Sequence, residues 1–220
     1  MDVYEALYTT RAMRRVRPDP VPLDTQARIL DAAIRAPTGG NVQQWRFVLV
    51  DDAETIGELG SLYRDSMDQV WNRFYRARDE ALAATPDTPE AIQAAKVSAS
   101  ARWLAEHFET VPLYLLAFHR SDPTGGSIYP AVWSAMLAAR AEGVGSCLTY
   151  ALSLFHADDV FALLGVPTDK GWSMSACVSF GYPTGRWDVA PRRPAREVTF
   201  RNRWGTPAGF AADAPLWAPS

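Results

Sequence analysis

The spacing of the apolar runs restricts this chain more than any other feature. Four stretches have strand length and strand composition: RFVLVDD (46–52), VPLYLLAFH (111–119), GSCLTYAL (145–152, strand then loop) and SMSACVSFGYP (173–183). Long segments separate most of them, so tight hairpins cannot join them. Strands linked through helices close as a sheet with helices packed on it, which is an α+β class of fold. The longest apolar run, VPLYLLAF (112–119), is far short of the ~20 residues a helix needs to span a bilayer. A membrane partner is therefore not expected.

The intervening segments have their own punctuation. LDTQARILDAAIRA (23–36) puts Leu23, Ala27, Leu30 and Ile34 at helical spacing, with Pro22 and Pro37 at its ends. A long polar helix or helix pair is predicted over 53–82, a loop over the proline-bearing 83–91, and a further helix over 92–108. An Ala-rich helix over 129–143 should stop at Gly143, and a short one over 156–166 at Gly165. No repeat and no linker is visible. The expected organisation is one domain over 1–220, with a helical excursion at about 53–108 and a C-terminal arm at about 186–220. That arm is rich in Pro, Arg and aromatics. Its Phe200, Trp204 and Phe210 predict packing on something, such as a second subunit.

A net charge of −3 and a pI near 5.6 argue against a nucleic-acid partner, because such proteins usually present a wholly basic face. The segment MDVYEALYTTR is acidic and amphipathic, unlike a signal peptide. Cys147 and Cys177 sit in apolar surroundings and read as buried free thiols, which suits a reducing, cytoplasmic setting. No metal-ligand spacing occurs, and His107, His119 and His156 are taken as structural.

Against this acidic background, RAMRRVR (11–17) concentrates Arg11, Arg14, Arg15 and Arg17. Two like charges about 4 Å apart repel by about 1 kcal/mol even in water, so something negative could offset them. The cluster could be a solvated basic surface. It could equally be an anion clamp, because guanidinium forks bind phosphate oxygens with paired hydrogen bonds. A second stretch, APTGGNVQQW (36–45), joins small residues to Asn41, Gln43, Gln44 and Trp45. It could be a Gly-rich turn, or a place where backbone N–H groups approach a ligand and side-chain amides meet a heteroaromatic edge.

Taken together and in order, TRAMRRVRPDPVP, a helix, then APTGGNVQQWRFVLV resembles the nitroreductase family of FMN-dependent oxidoreductases. Arg11, Ala12 and Arg14 occupy the R-S-x-R positions of that family, and Pro37, Thr38, Asn41, Gln43 and Trp45 those of A-P-S-x-x-N-x-Q-P-W. GVGSCLTY, LLGVP and SFGYP followed by PRRPAREV continue the likeness over most of the chain, apart from about 55–100. Thr10 stands where the first Arg often lies, Ala12 lacks the usual Ser hydroxyl, and Gln44 replaces a Pro.

The resemblance implies a mostly antiparallel sheet flanked by helices, in an intertwined homodimer with FMN at the subunit interface. On that pattern Arg11 would hold the phosphate, Arg14 the phosphate or the pyrimidine edge, and the Met13 backbone would line the ribityl chain. Pro37, Thr38 and Gly39 would come from the partner, with Asn41 and Gln43 holding the turn and the ring edge. Cys147, Leu148, Thr149 and Tyr150 would lie against the other face, and Arg192 and Arg193 would close over the phosphate. The implied activity is ping-pong transfer of hydride from NADPH or NADH through flavin N5 to a small-molecule acceptor such as a nitroaromatic or quinone, with no catalytic side chain required. Trp71, Phe74, Tyr75, Trp103 and Trp133 are candidate walls or packing residues. FMN storage without turnover, reductive dehalogenation and flavin cleavage are the alternatives on the same fold.

Overall fold

The computed structural model describes residues 1–210, Leu216 and Trp217; the remainder of the expected C-terminal arm, 211–215 and 218–220, lies outside the described residues. Helix α1 (Val3–Thr9) starts at Asp2, whose carboxylate accepts the Tyr4 N–H. Helix α2 (Leu23–Ala33) leads to β1 (Trp45–Val50). The helical excursion follows: α3 (Ala53–Val70), a π-helical turn (Trp71–Tyr75), α4 (Arg76–Ala83) and α5 (Pro89–Glu106). Then come β2 (Leu113–His119), α6 (Ile128–Ala141), β3 (Gly145–Thr149), α7 (Ala151–Phe155), α8 (Ala157–Leu164) and β4 (Ser173–Gly181).

The four strands form one sheet in the order β1-β2-β4-β3, and every neighbouring pair is antiparallel. The β2 side chains alternate between two cores. Tyr114, Leu116 and Phe118 pack with α3, α5 and α8; Leu113, Leu115 and Ala117 pack with α2 and α6. Covering both faces explains why VPLYLLAFH is apolar without alternation. Each fully buried Leu there contributes roughly 1.5–3 kcal/mol through removal from water.

Two expectations need correction. Residues 145–152 are not strand then loop, because β3 ends at Thr149 and α7 follows within two residues. The loop over 83–91 is shorter than expected. Pro89 opens α5 at its first turn, where its missing N–H costs nothing, and the Thr88 hydroxyl accepts the Ala91 N–H. The helix stops at Gly143 and Gly165 are as expected, both residues having positive φ.

His156 ties the excursion to the sheet-covering helices. Its ring nitrogens lie 2.6 Å from Asp159 Oδ2 and 2.7 Å from Asp65 Oδ2, so α3 is linked to the first turn of α8. Donating to both carboxylates requires the imidazolium. The bonds to Asp159 and then Asp65 raise the ring above the ordinary value of 6.5. Because the folded value is the higher one, this contribution is complete below 6.5 and fades as pH rises through the folded value. Asp65 is lowered from 3.8, chiefly by His156, so its share is present above that value and is lost on acidification through the folded one. Melting temperature should therefore fall between about pH 6 and pH 8 more steeply in the natural protein than in His156→Gln. Parallel slopes would refute the clamp.

Candidate active site

After α1 the chain runs extended against the β3–β4 edge. The Met13 N–H donates to the Ser146 carbonyl at 2.9 Å and the Arg17 N–H to the Tyr182 carbonyl at 2.8 Å. Ala12 bridges to Ser146 and Val16 to Pro183. Met13 and Val16 are buried against two glycines that face each other across the strands, Gly145 and Gly181. A Cβ on Gly145 would meet Met13 Cβ at 2.8 Å, and one on Gly181 would meet Val16 Cγ2 at 2.7 Å. The glycine pair is therefore the seat of the arginine segment.

With Met13 and Val16 turned inward, the four arginines diverge. Among the described residues Arg11 reaches an exposed Asp188, at 3.7 Å. Arg15 lies over the Trp103 ring at 5.4 Å. Arg17 pairs with Asp19 at 2.9 Å and covers Tyr182. Arg14 alone turns into a cleft of about 200 Å³ between β3 and the helical excursion. It is half-buried, its hydrogen-bond partner is Ser100 Oγ at 3.3 Å, and no carboxylate pairs with it among the described residues.

Cys147, Leu148, Thr149 and Tyr150 line the same cleft from β3 and the turn after it. Facing them are Tyr63 and Met67 of α3, then Trp71 and Tyr75 of the π-helical turn. Among the described residues no acidic one lines the cleft. Burial raises the Cys147 thiol, with Arg14 partly opposing, and burial likewise holds Tyr63 as the phenol. The walls thus offer guanidinium groups, neutral hydrogen-bonding groups and aromatic faces, but no ionised nucleophile or base. Such a site can hold a flat, electron-rich or anionic ring and exclude water from it.

The remaining expected site residues are elsewhere. The Met13 N–H is committed to Ser146 and its side chain is buried, so its amide does not face the cleft. Pro37, Thr38, Gly39, Asn41 and Gln43 form the turn before β1. There Gln43 donates its N–H to Thr38 Oγ at 3.3 Å and its amide to Asn41 Oδ1 at 3.1 Å. Asn41 and Gln43 both have positive φ, a strain these internal bonds hold in place. That turn leads into β1, the edge strand that lies three inter-strand spacings, about 14 Å, from β3. One chain does not bring the two motifs together. Arg192 and Arg193 are exposed, and Arg192 donates to the adjacent Pro191 carbonyl at 3.0 Å.

Of the aromatic candidates, Trp71 and Tyr75 line the cleft, while Phe74 is exposed, Trp103 stacks on His107 and Trp133 is exposed on α6. Tyr63, Arg78 and Ser98 also line it and were missed by sequence reasoning. Tyr63, Met67, Val70 and Trp71 form one helical stripe, a signal that periodicity could have found. Arg78 and Ser98 carried none. Among the described residues no group of three or more His, Cys, Asp or Glu could hold a metal, and no helix is long and apolar enough to cross a membrane.

A family model described as the nitroreductase family matches residues 7–182. The chain is similar to a 5,6-dimethylbenzimidazole synthase of Rhodospirillum rubrum, 30% identical over 83% of this chain and 82% of that one. It is also similar to an NADH dehydrogenase of Thermus thermophilus, 28% identical over 90% and 95%. In fold it resembles the FMN-dependent nitroreductase NfnB of Mycobacterium smegmatis, solved with NADPH, at a TM-score of 0.63 and 24% identity over 90% and 97% of the two chains.

Proposed function

The chain belongs to the nitroreductase family, and from that premise we propose that it is an FMN-dependent oxidoreductase carrying reducing equivalents from NADPH or NADH to an oxidised organic acceptor such as a nitroaromatic or quinone. One observation carries the reading: a half-buried guanidinium without a carboxylate partner among the described residues faces a cleft walled by aromatic rings and a strand edge. The donor set fits an isoalloxazine. A half-buried cation favours the electron-rich pyrimidine side, Met67 and Leu148 offer apolar surface, and Thr149 and the backbone around it offer hydrogen bonds. Bound there, FMN would supply the hydride chemistry at its N5.

The chain's own residues provide binding and electrostatics. With a flavin bound, Arg14 would stabilise negative charge at its pyrimidine side. Trp71 and Tyr75 keep water out. Arg11, with its exposed partner, is free to take phosphate, and Arg192 and Arg193 are placed as additional cations for it. Because Asn41 and Gln43 lie on the far edge of the sheet, they serve the cleft of a second copy, making the active form a homodimer with each site shared.

The test is the absorbance spectrum of the purified protein before and after anaerobic addition of NADPH or NADH, with the mass in solution measured alongside. The expected protein is yellow, dimeric and bleached by one of the donors. A colourless protein that takes up no FMN, or bound FMN that neither donor bleaches, would sink the assignment.

A further inference from the structure

The cleft holds a second guanidinium that cofactor binding leaves unused. Arg78 lines it from α4. Its Nε and Nη2 both donate to one oxygen of Asp79, at 3.0 and 2.6 Å, and Nη2 lies 3.5 Å from Ser98 Oγ. Nη1 has no hydrogen-bond partner among the described residues. The Tyr75 ring centroid lies 4.6 Å from the guanidinium carbon.

Asp79 organises this wall without entering it. Its second oxygen accepts the Trp71 indole N–H at 3.1 Å, so one carboxylate fixes both Trp71 and Arg78. The π-helical turn sets Trp71 and Tyr75 four residues apart on the same wall, with ring centroids 5.6 Å apart and tilted by 40°. Arg78 holds the Asp79 carboxyl below its usual range, so this carboxylate is ionised whenever the enzyme is folded at neutral pH. The surface presented to the cleft is then two rings and a cation, with the compensating acid behind them.

We infer that the acceptor is a planar aromatic bearing a carboxylate, its ring against Trp71 and Tyr75 and its anion on Arg78. This rests on the flavin assignment, which occupies Arg14 and leaves Arg78 for the second substrate. Asp79 is a positioning residue, and Arg78 discriminates by charge. A neutral ring gains only the aromatic contact, whereas a carboxylate also gains a charge-assisted hydrogen bond from Nη1, the donor that Asp79 does not engage.

The experiment compares kcat/KM for para-nitrobenzoate with that for its methyl ester in the flavin-loaded enzyme. Arg78→Gln should lower the acid-to-ester ratio by about tenfold or more, the usual worth of a hydrogen bond to a charged group. Arg78→Lys should recover part of it. Benzoate, which is not reduced, should release heat on binding the natural protein in calorimetry and lose that signal in Arg78→Gln. An unchanged ratio in a variant that is still yellow and still bleached by NADPH overturns the inference. If no donor bleaches the flavin, the functional assignment fails by itself. Calorimetry then decides alone: benzoate binding that depends on Arg78 sustains the anion site, and absent or Arg78-independent binding removes it.

Discussion

Arg14→Ala is expected to purify colourless, whereas Arg17→Ala should be as yellow as the natural protein. The two residues are three apart in one basic cluster, and their surroundings separate them. Arg14 is half-buried in the cleft, and among the described residues it has a single hydrogen bond, at 3.3 Å, and no anion paired to it. Its desolvation is uncompensated until a ligand supplies negative charge. Hydrogen bonds to a charged group are worth about 1.5–3 kcal/mol each, so removing this one should weaken FMN binding by roughly 10- to 100-fold or more. Arg17 is already paired with Asp19 and stacked on Tyr182 at the surface. Exposed pairs contribute about 0–1 kcal/mol, so its loss should change FMN affinity by no more than a few-fold. Titration of apoprotein with FMN, followed by quenching of flavin fluorescence, measures both. Arg14→Ala should melt close to the natural apoprotein, because it gives up only one weak bond. Equal FMN affinities for the two variants would show that Arg14 does not face the ring.

How much of this was legible beforehand depends on whether the information was local. The four strands were visible because strands buried on both faces need continuous apolar runs, and LYLLAF is such a run. Helix ends at Gly143 and Gly165 were visible because a positive φ just past a helix favours glycine. The two binding motifs were visible as ordered residue types, but not their placement. Periodicity does not say that β1 and β3 take opposite edges of the sheet, and that placement is what separates Asn41 and Gln43 from Arg14. The individual fates of the arginines were also hidden. Trp103, Tyr182 and Asp188 lie far along the chain from the cations they meet, and charge counting cannot pair them. Helix α7 escaped because five residues are too few to show a period.

The largest effect on folding and binding together is expected at a glycine pair, Gly145 of GVGSCLTY and Gly181 of SFGYP. Gly145 and Gly181 are partners in the β3–β4 register, and each lacks a Cβ at a point where the arginine segment crosses. The atoms a side chain would strike are Met13 Cβ and Val16 Cβ, at 2.8 Å in each case, together with Val16 Cγ2 and, from behind, Pro112 Cδ at 3.1 Å. These atoms sit beside the backbone and cannot rotate aside as the end of a long side chain can. Gly181→Ala or Gly145→Ala must therefore lift residues 13–16 from the strand edge and strain the bonds from Met13 to Ser146 and from Arg17 to Tyr182. Overpacking of this kind costs typically about 1–3 kcal/mol, enough to lower the urea midpoint clearly. Because Arg14 rides on that segment, the same substitutions should also weaken FMN binding, whereas Arg14→Ala weakens binding with little change in stability. Gly181→Val should be worse than Gly181→Ala on both measures. A Gly145→Ala protein with the natural urea midpoint and natural FMN affinity would mean that the arginine segment is not seated on the glycines, and that some other contact aims Arg14 into the cleft.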